Sequence, residues 1–326
     1  MSGKARLITV IPVCNSQQTL SRTLASLTSQ TTKPDRVVLL DFGSTDATER
    51  VPAQFANLHW EWQTLPPGHK FFDACNAGLH LAANTRHLHL LRCGDILRPT
   101  FYESLLSALG NGDTFGLAYC LDETADVAGE RLFATGWQRK RPTRFSPDAF
   151  LRRMSRLETL PLSTALIRTG GHRVPVRFRV EISMLAHKGF WASFAAHCDA
   201  IVRVNQHLCV RQWEPQGNGH QPLLPGMQAL VYDEVRVMQN AEHLRANGGG
   251  WVARQRRLWI LSRRAALKAR RAEQMHKPYH AREIARACRD LTGWWRWLPA
   301  KAVVVARDWL VFGALRRRRD PRDLYR

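Results

Sequence analysis

The sequence predicts an α/β protein with a doubly wound, mostly parallel sheet, followed by a basic α-helical extension. Short apolar segments of strand character alternate with segments of helical spacing over the first part of the chain. The charge is uneven, because residues 251–326 hold 21 Lys and Arg against 6 Asp and Glu, which is +15 of the total of +21. We therefore expect two domains, over residues 1–220 and 221–326.

The composition excludes several classes of protein. With 326 residues, of which 44% are hydrophobic, the chain can bury a core, which argues against general disorder. It has no run of about 18 uncharged apolar residues, which argues against a membrane span. Met1–Arg6 leads into a strand-like segment without a cleavage site, so a secretory signal is not expected. The seven scattered cysteines form no CxxC pair, which fits reduced thiols in a cytosolic protein.

The elements of the sheet follow in order along the chain. Leu7–Val13 is a continuous apolar run rich in β-branched residues, as expected for a strand that is covered on both faces. Ser16 is placed to cap a helix that carries Leu20, Leu24 and Leu27 at helical spacing. The later strands are predicted over residues 37–41, 58–63, 87–91 and 116–121. The later helices are predicted after Asp46, over residues 72–83 and from Pro99.

Polar residues follow three of these predicted strands. Asn15 comes after the first strand, Asp41 ends the second, and Asp95 comes after the fourth. In open parallel sheets, ligands bind at the carboxyl ends of the strands, where the strand order reverses. The sequence therefore predicts a ligand site at this edge of the sheet.

A series of segments, in order and at suitable spacing, resembles the motifs of family 2 glycosyltransferases. Ile8–Asn15 is similar to V-S-V-I-I-P-x-Y-N, Leu40–Asp46 to V-D-D-G-S-T-D, and Ala74–Leu79 to A-R-N-x-G-I. Leu90–Pro99 lies where the family has F-L-D-x-D-D-x-L-x-P. Weaker similarities occur at Thr19–Thr31, Ser163–Arg168, Gly170–Gly171, Glu181–Leu185 and Leu208–Arg211. The resemblance covers about residues 6–220 and implies the GT-A nucleotide-sugar fold.

This resemblance implies a function and a set of site residues. The chain would move a sugar from a nucleotide-diphosphate sugar to a glycan or lipid-linked acceptor, as in polysaccharide biosynthesis. Asp41 would hydrogen-bond the nucleotide base, and Pro12 and Asn15 would shape the base and ribose pocket. Glu181 would be the catalytic base that deprotonates the acceptor hydroxyl. Lys70 is placed against the phosphates on the ground of its charge alone.

The chain departs from the family pattern at the polar site. Phe42 replaces the second Asp of D-D-G-S, and Arg92-Cys93-Gly94 replaces the Asp-x-Asp motif. Asp95 is then the carboxylate left for the Mn²⁺ or Mg²⁺ that the resemblance implies, and Arg92 would neutralise the diphosphate directly. One hypothesis is a metal-independent glycosyltransferase. The other is a catalytically inactive relative that acts as a scaffold or regulator of a glycan-assembly complex.

Each candidate also has a purely structural interpretation. Asp41 could cap a turn, and Asp95 lies in ordinary turn sequence before a helix that is headed by Pro. Glu181 could be a solvated helix residue, and Arg92 a surface arginine at a strand end. The sequence leaves these alternatives open.

The extension is predicted to form three helices, over residues 251–272 and 279–291 and from Pro299 to Leu315. Gly293 is a plausible helix stop. The positions expected to share the apolar face of the first helix are Trp251, Leu258, Leu261, Ala265, Ala269 and Ala272. The third helix suits the membrane interface, with the arginines of Arg316–Arg319 among lipid headgroups.

The partner predicted for residues 251–326 is therefore an anionic membrane surface. This predicts a cytoplasmic protein that lies peripherally on the inner face of the cell membrane. The alternative is a helical subdomain that packs its tryptophans on the first domain, with the arginines solvated. Binding to nucleic acid is not expected, because no recognised nucleic-acid motif accompanies the charge.

Overall fold

The computed structural model forms two compact units, each described by itself. It describes residues 5–126, 128–158, 160–180, 185–212, 227–245, 250–274 and 278–314. The first unit takes in the described residues up to 212, apart from 152–158 and residue 185. The second unit takes in those residues and the helices that begin at residue 227.

The first unit is built on a ten-stranded sheet. Its strands are β1 (Ala5–Val13), β2 (Arg36–Asp41), β3 (Trp60–Thr64), β4 (Thr85–Leu90), β5 (Ile96–Leu97), β6 (Gly116–Ala125), β7 (Arg131–Ala134), β8 (Thr143–Phe145), β9 (Ala165–Arg168) and β10 (Ala200–Gln212). They lie in the order β3-β2-β1-β4-β9-β6-β10-β5, with β7 on β6 and β8 on β10. The order reverses between β1 and β4, because the chain runs outward through β2 and β3 and returns to the other side of β1.

The predicted parallel character is confirmed for both halves of the sheet. Strands β1 to β4 pair in parallel, and so do β6 and β10. Strand β9 joins the halves and runs antiparallel to both β4 and β6. Strands β5, β7 and β8 are also antiparallel to their partners. The sequence did not predict these additions, since the shortest has two residues and leaves no period to detect.

The helices of the first 212 residues are α1 (Leu20–Thr28), α2 (Phe71–Leu79), α3 (Phe101–Leu109), α4 (Pro147–Met154) and α5 (Ala186–Ala195). Short 3-10 helices occur at Ala47–Gln54, His80–Asn84 and Leu162–Thr164. The prediction that Ser16 caps α1 is wrong, because its hydroxyl donates to the Cys14 carbonyl. Instead, the Ser16 carbonyl accepts the N–H groups of Thr19 and Leu20 before the helix begins.

Helix α2 lies very close to the central strand β1. A Cβ atom on Gly78 would come within 2.7 Å of Cγ1 of Val10, so only glycine permits this approach. Asn76 fixes the other side of the helix, since its side chain donates to the Phe178 carbonyl (2.9 Å) and accepts the Phe178 N–H (2.7 Å). Asn76 and Gly78 thus set the position of α2 and of its N-terminus.

A buried arginine secures the junction of β9 with the loop after α3. The side chain of Arg168 is 4% exposed, and its guanidinium donates to the carbonyls of Leu109 (3.0 Å) and Thr114 (2.9 Å) and to the Asp199 carboxylate (2.7 Å). Gly112 lies beside the guanidinium, where a Cβ would come within 2.7 Å. The charge is tolerated because carbonyls and a carboxylate surround it.

The second unit contains α6 (Met227–His243), α7 (Trp251–Gln274), α8 (Pro278–Thr292) and α9 (Trp294–Ala314). Its core forms between the last three helices, with Leu261 of α7, Ile284 of α8 and Trp297 of α9 all buried. Gly293, with φ of 84°, ends α8 as predicted. No helix in the described part of the chain is long and apolar enough to cross a bilayer.

Three predictions for the extension need correction or lie outside the structure. Helix α9 begins at Trp294, so Pro299 lies inside it rather than at its start. Trp251 is 74% exposed and does not join the buried face that Leu261 shares with the small residues of α7. Arg316–Arg319 lie outside the described residues.

We expect Arg168→Met to destabilise the first unit by about 3 kcal/mol, because two carbonyls would lose buried donors and Asp199 its partner. Urea unfolding should show a lower midpoint. The control is Arg86→Met, which breaks the exposed ion pair with Asp113 and should change stability by less than about 1 kcal/mol. Equal midpoints for the two variants would contradict the role of Arg168.

Candidate functional site

The loops that follow β1 and β2 are bonded to each other at the carboxyl edge of the sheet. Asn15 has a φ of 47°, in the left-handed region that asparagine tolerates better than most residues. Its side-chain oxygen accepts the N–H (2.8 Å) and the hydroxyl (3.1 Å) of Thr45. Its own N–H donates to the Ser44 hydroxyl (3.1 Å). Asn15 therefore positions the loop after β2 against the end of β1.

Asp41 closes the same turn with one of its two carboxylate oxygens. Oδ1 accepts from the N–H (2.9 Å) and the hydroxyl (2.7 Å) of Ser44 and from the Gly43 N–H (3.3 Å). Oδ2 has no hydrogen-bond partner among the residues that the structure describes. The turn-capping interpretation is thus realised by Oδ1 alone, while Oδ2 remains an acceptor for a ligand.

Asp95 lies in a closed hydrogen-bond cluster after β4 and is 1% exposed. Oδ1 accepts from the Arg92 guanidinium (2.8 Å) and the Gln212 N–H (3.1 Å). Oδ2 accepts from the Ser163 hydroxyl (2.6 Å) and, more weakly, from Nε of Arg92 (3.4 Å). The Asp95 carbonyl accepts from the Thr23 hydroxyl (3.0 Å). Both carboxylate oxygens are therefore engaged by the protein itself.

Arg92 extends across this cluster from the strand end. Its guanidinium also donates to the Gln212 carbonyl (2.6 Å), and its backbone N–H donates to the Ser163 hydroxyl (3.0 Å). About a third of its side chain is nonetheless exposed (37%), whereas that of Asp95 is 2% exposed. Of this pair, the Arg92 side chain therefore reaches the surface and the Asp95 carboxylate does not.

These residues do not fit a divalent cation. A hard cation needs carboxylate oxygens with free lone pairs, and those of Asp95 are taken by Arg92, Ser163 and Gln212. In the part of the chain that the structure describes, no group of three or more His, Cys, Asp or Glu side chains could hold a metal ion. The implied Mn²⁺ or Mg²⁺ therefore has no cage of described residues at Asp95.

A series of buried hydrogen bonds connects the cluster to the core of the sheet. The backbone carbonyl of Ser163 accepts from Nε2 of His89 (3.1 Å), whose Nδ1 pairs with the Tyr102 hydroxyl (2.9 Å). The Tyr102 hydroxyl in turn pairs with that of Thr9 on β1 (2.7 Å). Because His89 is fully buried, desolvation lowers its pKa to about 4, and the ring is neutral at physiological pH.

The remaining predicted positions lie along the same edge. Pro12 is buried in β1 and pairs with Leu40 of β2, one residue before Asp41. Lys70 is exposed at the N-terminus of α2, where its N–H donates to the Asp73 carboxylate (2.9 Å). The segment that leads to Lys70 starts beside Asp41, whose carbonyl accepts the N–H of Leu65 (2.7 Å).

Two residues that replace family motif positions are buried. Phe42 is 8% exposed, and its ring meets the edge of Phe71 at the start of α2 with centroids 6.4 Å apart. Cys93 is 5% exposed, and burial raises the pKa of its thiol to about 11. Neither supplies a charged group to the site. Glu181 lies outside the described residues, so the predicted base has no described geometry.

Three partners at this edge of the sheet were not predicted from the sequence. Ser163 begins one of the motifs that carry the resemblance and Gln212 directly follows another, but nothing in their spacing paired either with Asp95. Asp122 of β6 accepts from Arg211 (2.6 Å), which lies next to Gln212 on β10. These contacts join residues about 70 to 120 positions apart, and only the sheet order brings them together.

A separate cavity of about 360 Å³ lies near the amino ends of β1 and β4. Arg6, His87 and Glu103 are among its lining residues. It is at the opposite end of these strands from Asn15 and Asp41, so it does not belong to the site described above.

The comparisons with known proteins agree with this architecture. The family model described as Glycosyl transferase family 2 matches residues 9–148. No curated protein sequence matches the chain. Among solved structures, TarS 1-349 from S. aureus has a TM-score of 0.61 at 14% identity, covering 96% of this chain and 93% of that one. Structures of that TarS piece contain UDP or UDP-GlcNAc.

Two further structures extend the comparison. The mannosyltransferase PcManGT from Pyrobaculum calidifontis, in complex with GDP-Man and Mn²⁺, has a TM-score of 0.54 at 14% identity, over 95% of this chain and 81% of that one. A longer TarS chain from S. aureus has a TM-score of 0.55 at 16% identity, over 79% of this chain. This chain spans 42% of that longer TarS chain. The fold is GT-A.

We expect the first unit to lose stability as the pH falls from about 6.5 to about 4. The folded state keeps His89 and the buried His87 neutral, both with pKa lowered to about 4, whereas the unfolded chain takes up protons near pH 6.5. Because the unfolded state binds more protons in this range, the free energy of unfolding decreases as the pH decreases, by up to about 3 kcal/mol for each histidine.

Urea unfolding at several pH values measures this slope. His89→Phe removes one of the buried histidines whose pKa is lowered, so the stability of this variant should fall less steeply over the same window. An identical slope for the variant and the natural chain would show that His89 does not titrate on unfolding.

Proposed function

We propose that the chain transfers a sugar from a nucleotide-diphosphate donor to an acceptor hydroxyl, because residues 9–148 match the family 2 glycosyltransferase model and the fold is GT-A. The observation that carries this proposal is the pair of bonded loops after β1 and β2. Asn15 and Asp41 fix these loops at the edge where the strand order reverses, which is where ligands bind in such sheets. The donor nucleotide would lie there.

Asp41 is proposed to read the nucleotide base. Its Oδ1 is held by the turn and its Oδ2 is unused among the described residues, so the carboxylate is oriented before a ligand arrives. A fixed anionic acceptor favours a base that presents a ring N–H. Uracil and guanine have such a group at neutral pH, and cytosine and adenine do not. This selection agrees with the UDP-GlcNAc and GDP-Man in the similar structures.

The diphosphate is proposed to be bound by side-chain cations. Arg92 presents its guanidinium at the strand end, and Lys70 lies exposed at the first turn of α2, where the helix N-terminus also favours anions. Asp95 would act by orienting Arg92 rather than by binding a metal, since its oxygens are engaged. Leaving-group charge would then be stabilised by the chain's own residues.

Glu181 is proposed as the base that takes the proton of the acceptor hydroxyl, on the strength of the resemblance alone. The acceptor would be a glycan or a lipid-linked sugar. The competing proposal is an inactive relative that binds glycan-assembly partners. The engagement of Asp95 by Arg92 is compatible with both, so nucleotide binding is the observation that separates them.

The second unit is proposed to bind an anionic membrane surface from the cytoplasmic side. The first turns of α7 and α9 carry an exposed aromatic surface, which includes Trp251, Trp294 and Trp295. Leu298 is exposed beside it. Trp259 joins the two helices, since its ring meets that of Trp295 with centroids 6.4 Å apart. Tryptophan is favoured at the level of lipid headgroups, where its ring is partly apolar and its N–H is solvated.

Positive charge lies next to this aromatic surface. Arg254, Arg256 and Arg263 are exposed on α7 and have no salt-bridge partner within the described part of the chain. Each basic residue near an anionic leaflet contributes about 1 kcal/mol to binding. The packed Trp297 and Val304 leave α9 bound to its neighbours, so the surface would dock as part of a folded unit.

Calorimetric titration tests the donor site. We expect the chain to bind UDP or GDP in the presence of EDTA. We expect its affinity for CDP and ADP to be at least about tenfold lower. Asp41→Asn keeps an oxygen for the turn but places an NH₂ group where Oδ2 was, so it should weaken UDP or GDP binding at least about tenfold. Lys70→Gln, at an exposed position, should weaken binding several-fold without affecting stability.

The control is Asp35→Asn, because Asp35 accepts from the N–H groups of Arg6 and Leu7 at the other end of β1. It should leave nucleotide binding unchanged. Binding that requires Mn²⁺ would contradict the direct role of Arg92 and Lys70. No binding of any nucleotide would favour the scaffold function.

Sedimentation with vesicles tests the membrane proposal. We expect binding to vesicles that contain phosphatidylglycerol and little binding to phosphatidylcholine alone, because the surface is basic. The double variant W251S/W294S should reduce binding about tenfold or more. Tyr279→Ser removes an aromatic that is 63% exposed at the opposite end of α8 and is the matched control. Equal sedimentation of all three proteins would refute the aromatic surface.

A further inference from the structure

The loop between β7 and β8, residues 135–142, presents a single tryptophan to solvent. Trp137 is 86% exposed, and among the described residues of the first unit the other exposed large hydrophobic side chain is Val180 (45%). An isolated, almost fully exposed tryptophan stabilises no core. Tryptophan and arginine are enriched among the residues that contribute most to binding at interfaces.

The loop is fixed by two side chains of β10. Asn205, which is 2% exposed, donates to the Arg141 carbonyl (2.7 Å) and the Thr143 hydroxyl (2.9 Å), while its own carbonyl accepts the Arg139 N–H (2.9 Å). Arg203 orients the Asn205 amide by donating to its oxygen (2.8 Å). The strand therefore holds the loop backbone at Arg139 and Arg141.

His207 secures the beginning of the loop. Its Nε2 donates to the Thr135 carbonyl (2.8 Å), so Nδ1 is the acceptor for the Gln138 side-chain amide (2.8 Å). Gly136 has a φ of +62°, and a Cβ there would come within 2.9 Å of Leu121. The loop is thus built to hold one conformation, in which Trp137 points away from the first unit.

Three cations flank the tryptophan. Arg139, Lys140 and Arg141 are all exposed, and none has an ion-pair partner among the residues that the structure describes. The segment from Gly136 to Arg144 contains no acidic residue. An exposed aromatic ring on a fixed backbone, beside unpaired positive charge, is complementary to a ligand with an apolar face and negative groups.

The start of this loop is close to the Arg92–Asp95 cluster. The Thr135 hydroxyl donates to the Asp122 carboxylate (2.8 Å), which also accepts from Arg211 (2.6 Å). The next residue, Gln212, bonds to Asp95. The loop therefore lies on the β6–β10 half of the sheet, whereas the loops of Asn15 and Asp41 lie on the β1–β2 half.

We propose that the loop of residues 135–142 binds an anionic glycan as the acceptor, with Trp137 stacked on a sugar ring and Arg139, Lys140 and Arg141 paired with its carboxylate or phosphate groups. This proposal rests on the transferase function proposed above. A sugar ring offers a C–H face that suits an indole. A membrane is a poorer match for this loop, because one tryptophan without apolar neighbours buries little area in lipid.

Titration with glycans tests the loop without needing a donor. We expect the full chain to bind short oligogalacturonates, a carboxylated probe, at least about tenfold more tightly than neutral maltooligosaccharides of equal length. Trp137→Ala should weaken oligogalacturonate binding roughly tenfold. The triple variant R139Q/K140Q/R141Q should weaken it further and reduce its dependence on salt.

Trp251→Ala is the matched control, an exposed tryptophan of the second unit, and should bind the probe as the natural chain does. UDP and GDP titrations of the same proteins report the donor site separately. If the natural chain binds glycan in a Trp137-dependent way but binds neither UDP nor GDP, the transferase function would be overturned and the glycan site would not. Three results would each overturn the loop proposal. They are equal affinity for neutral glycans, oligogalacturonate binding that Trp137→Ala leaves unchanged, and no oligogalacturonate binding by the natural chain.

Discussion

The ion pair between Arg92 and the buried Asp95 is the constraint on which the rest of the candidate site depends. A carboxylate that is 1% exposed must be paired and hydrogen-bonded, or its burial would cost several kcal/mol. Arg92, Ser163 and Gln212 meet that requirement from three different segments. In doing so they hold the end of β4, the turn before β9 and the end of β10 in one arrangement.

The two halves of the sheet divide the roles around this pair. On one side, the loops after β1 and β2 form a rigid turn in which Asn15 and Asp41 satisfy the backbone, leaving one oxygen of Asp41 for a ligand. On the other side, β6 and β10 carry the fixed loop with Trp137. The antiparallel strand β9 joins the two halves, so the central cluster lies between the proposed nucleotide surface and the proposed glycan surface.

The sequence predicted the features that local pattern encodes. The alternation of strands and helices, the strand ends at Asn15 and Asp41 and the helix stop at Gly293 follow from apolar period and from turn chemistry. The closure of Asp95 by Ser163 and Gln212 could not be predicted, because these contacts depend on strand order and join distant residues. Trp251 was assigned to a buried face because helical spacing alone cannot tell which turns of a long helix have a neighbour to cover them.

The choice of a guanidinium in place of a metal-binding carboxylate changes what the site can do. A divalent cation needs open carboxylate oxygens and is exchanged with solvent, whereas Arg92 is covalently part of the chain and remains charged at any physiological pH. Asp95 offsets that charge within the protein and fixes its direction through Gln212 and Ser163. A diphosphate would therefore meet donors that are already oriented, so the ordering of those groups costs little on binding. The same fixation means that the cluster cannot take in a metal without first breaking the bonds that make Asp95 stable where it is buried.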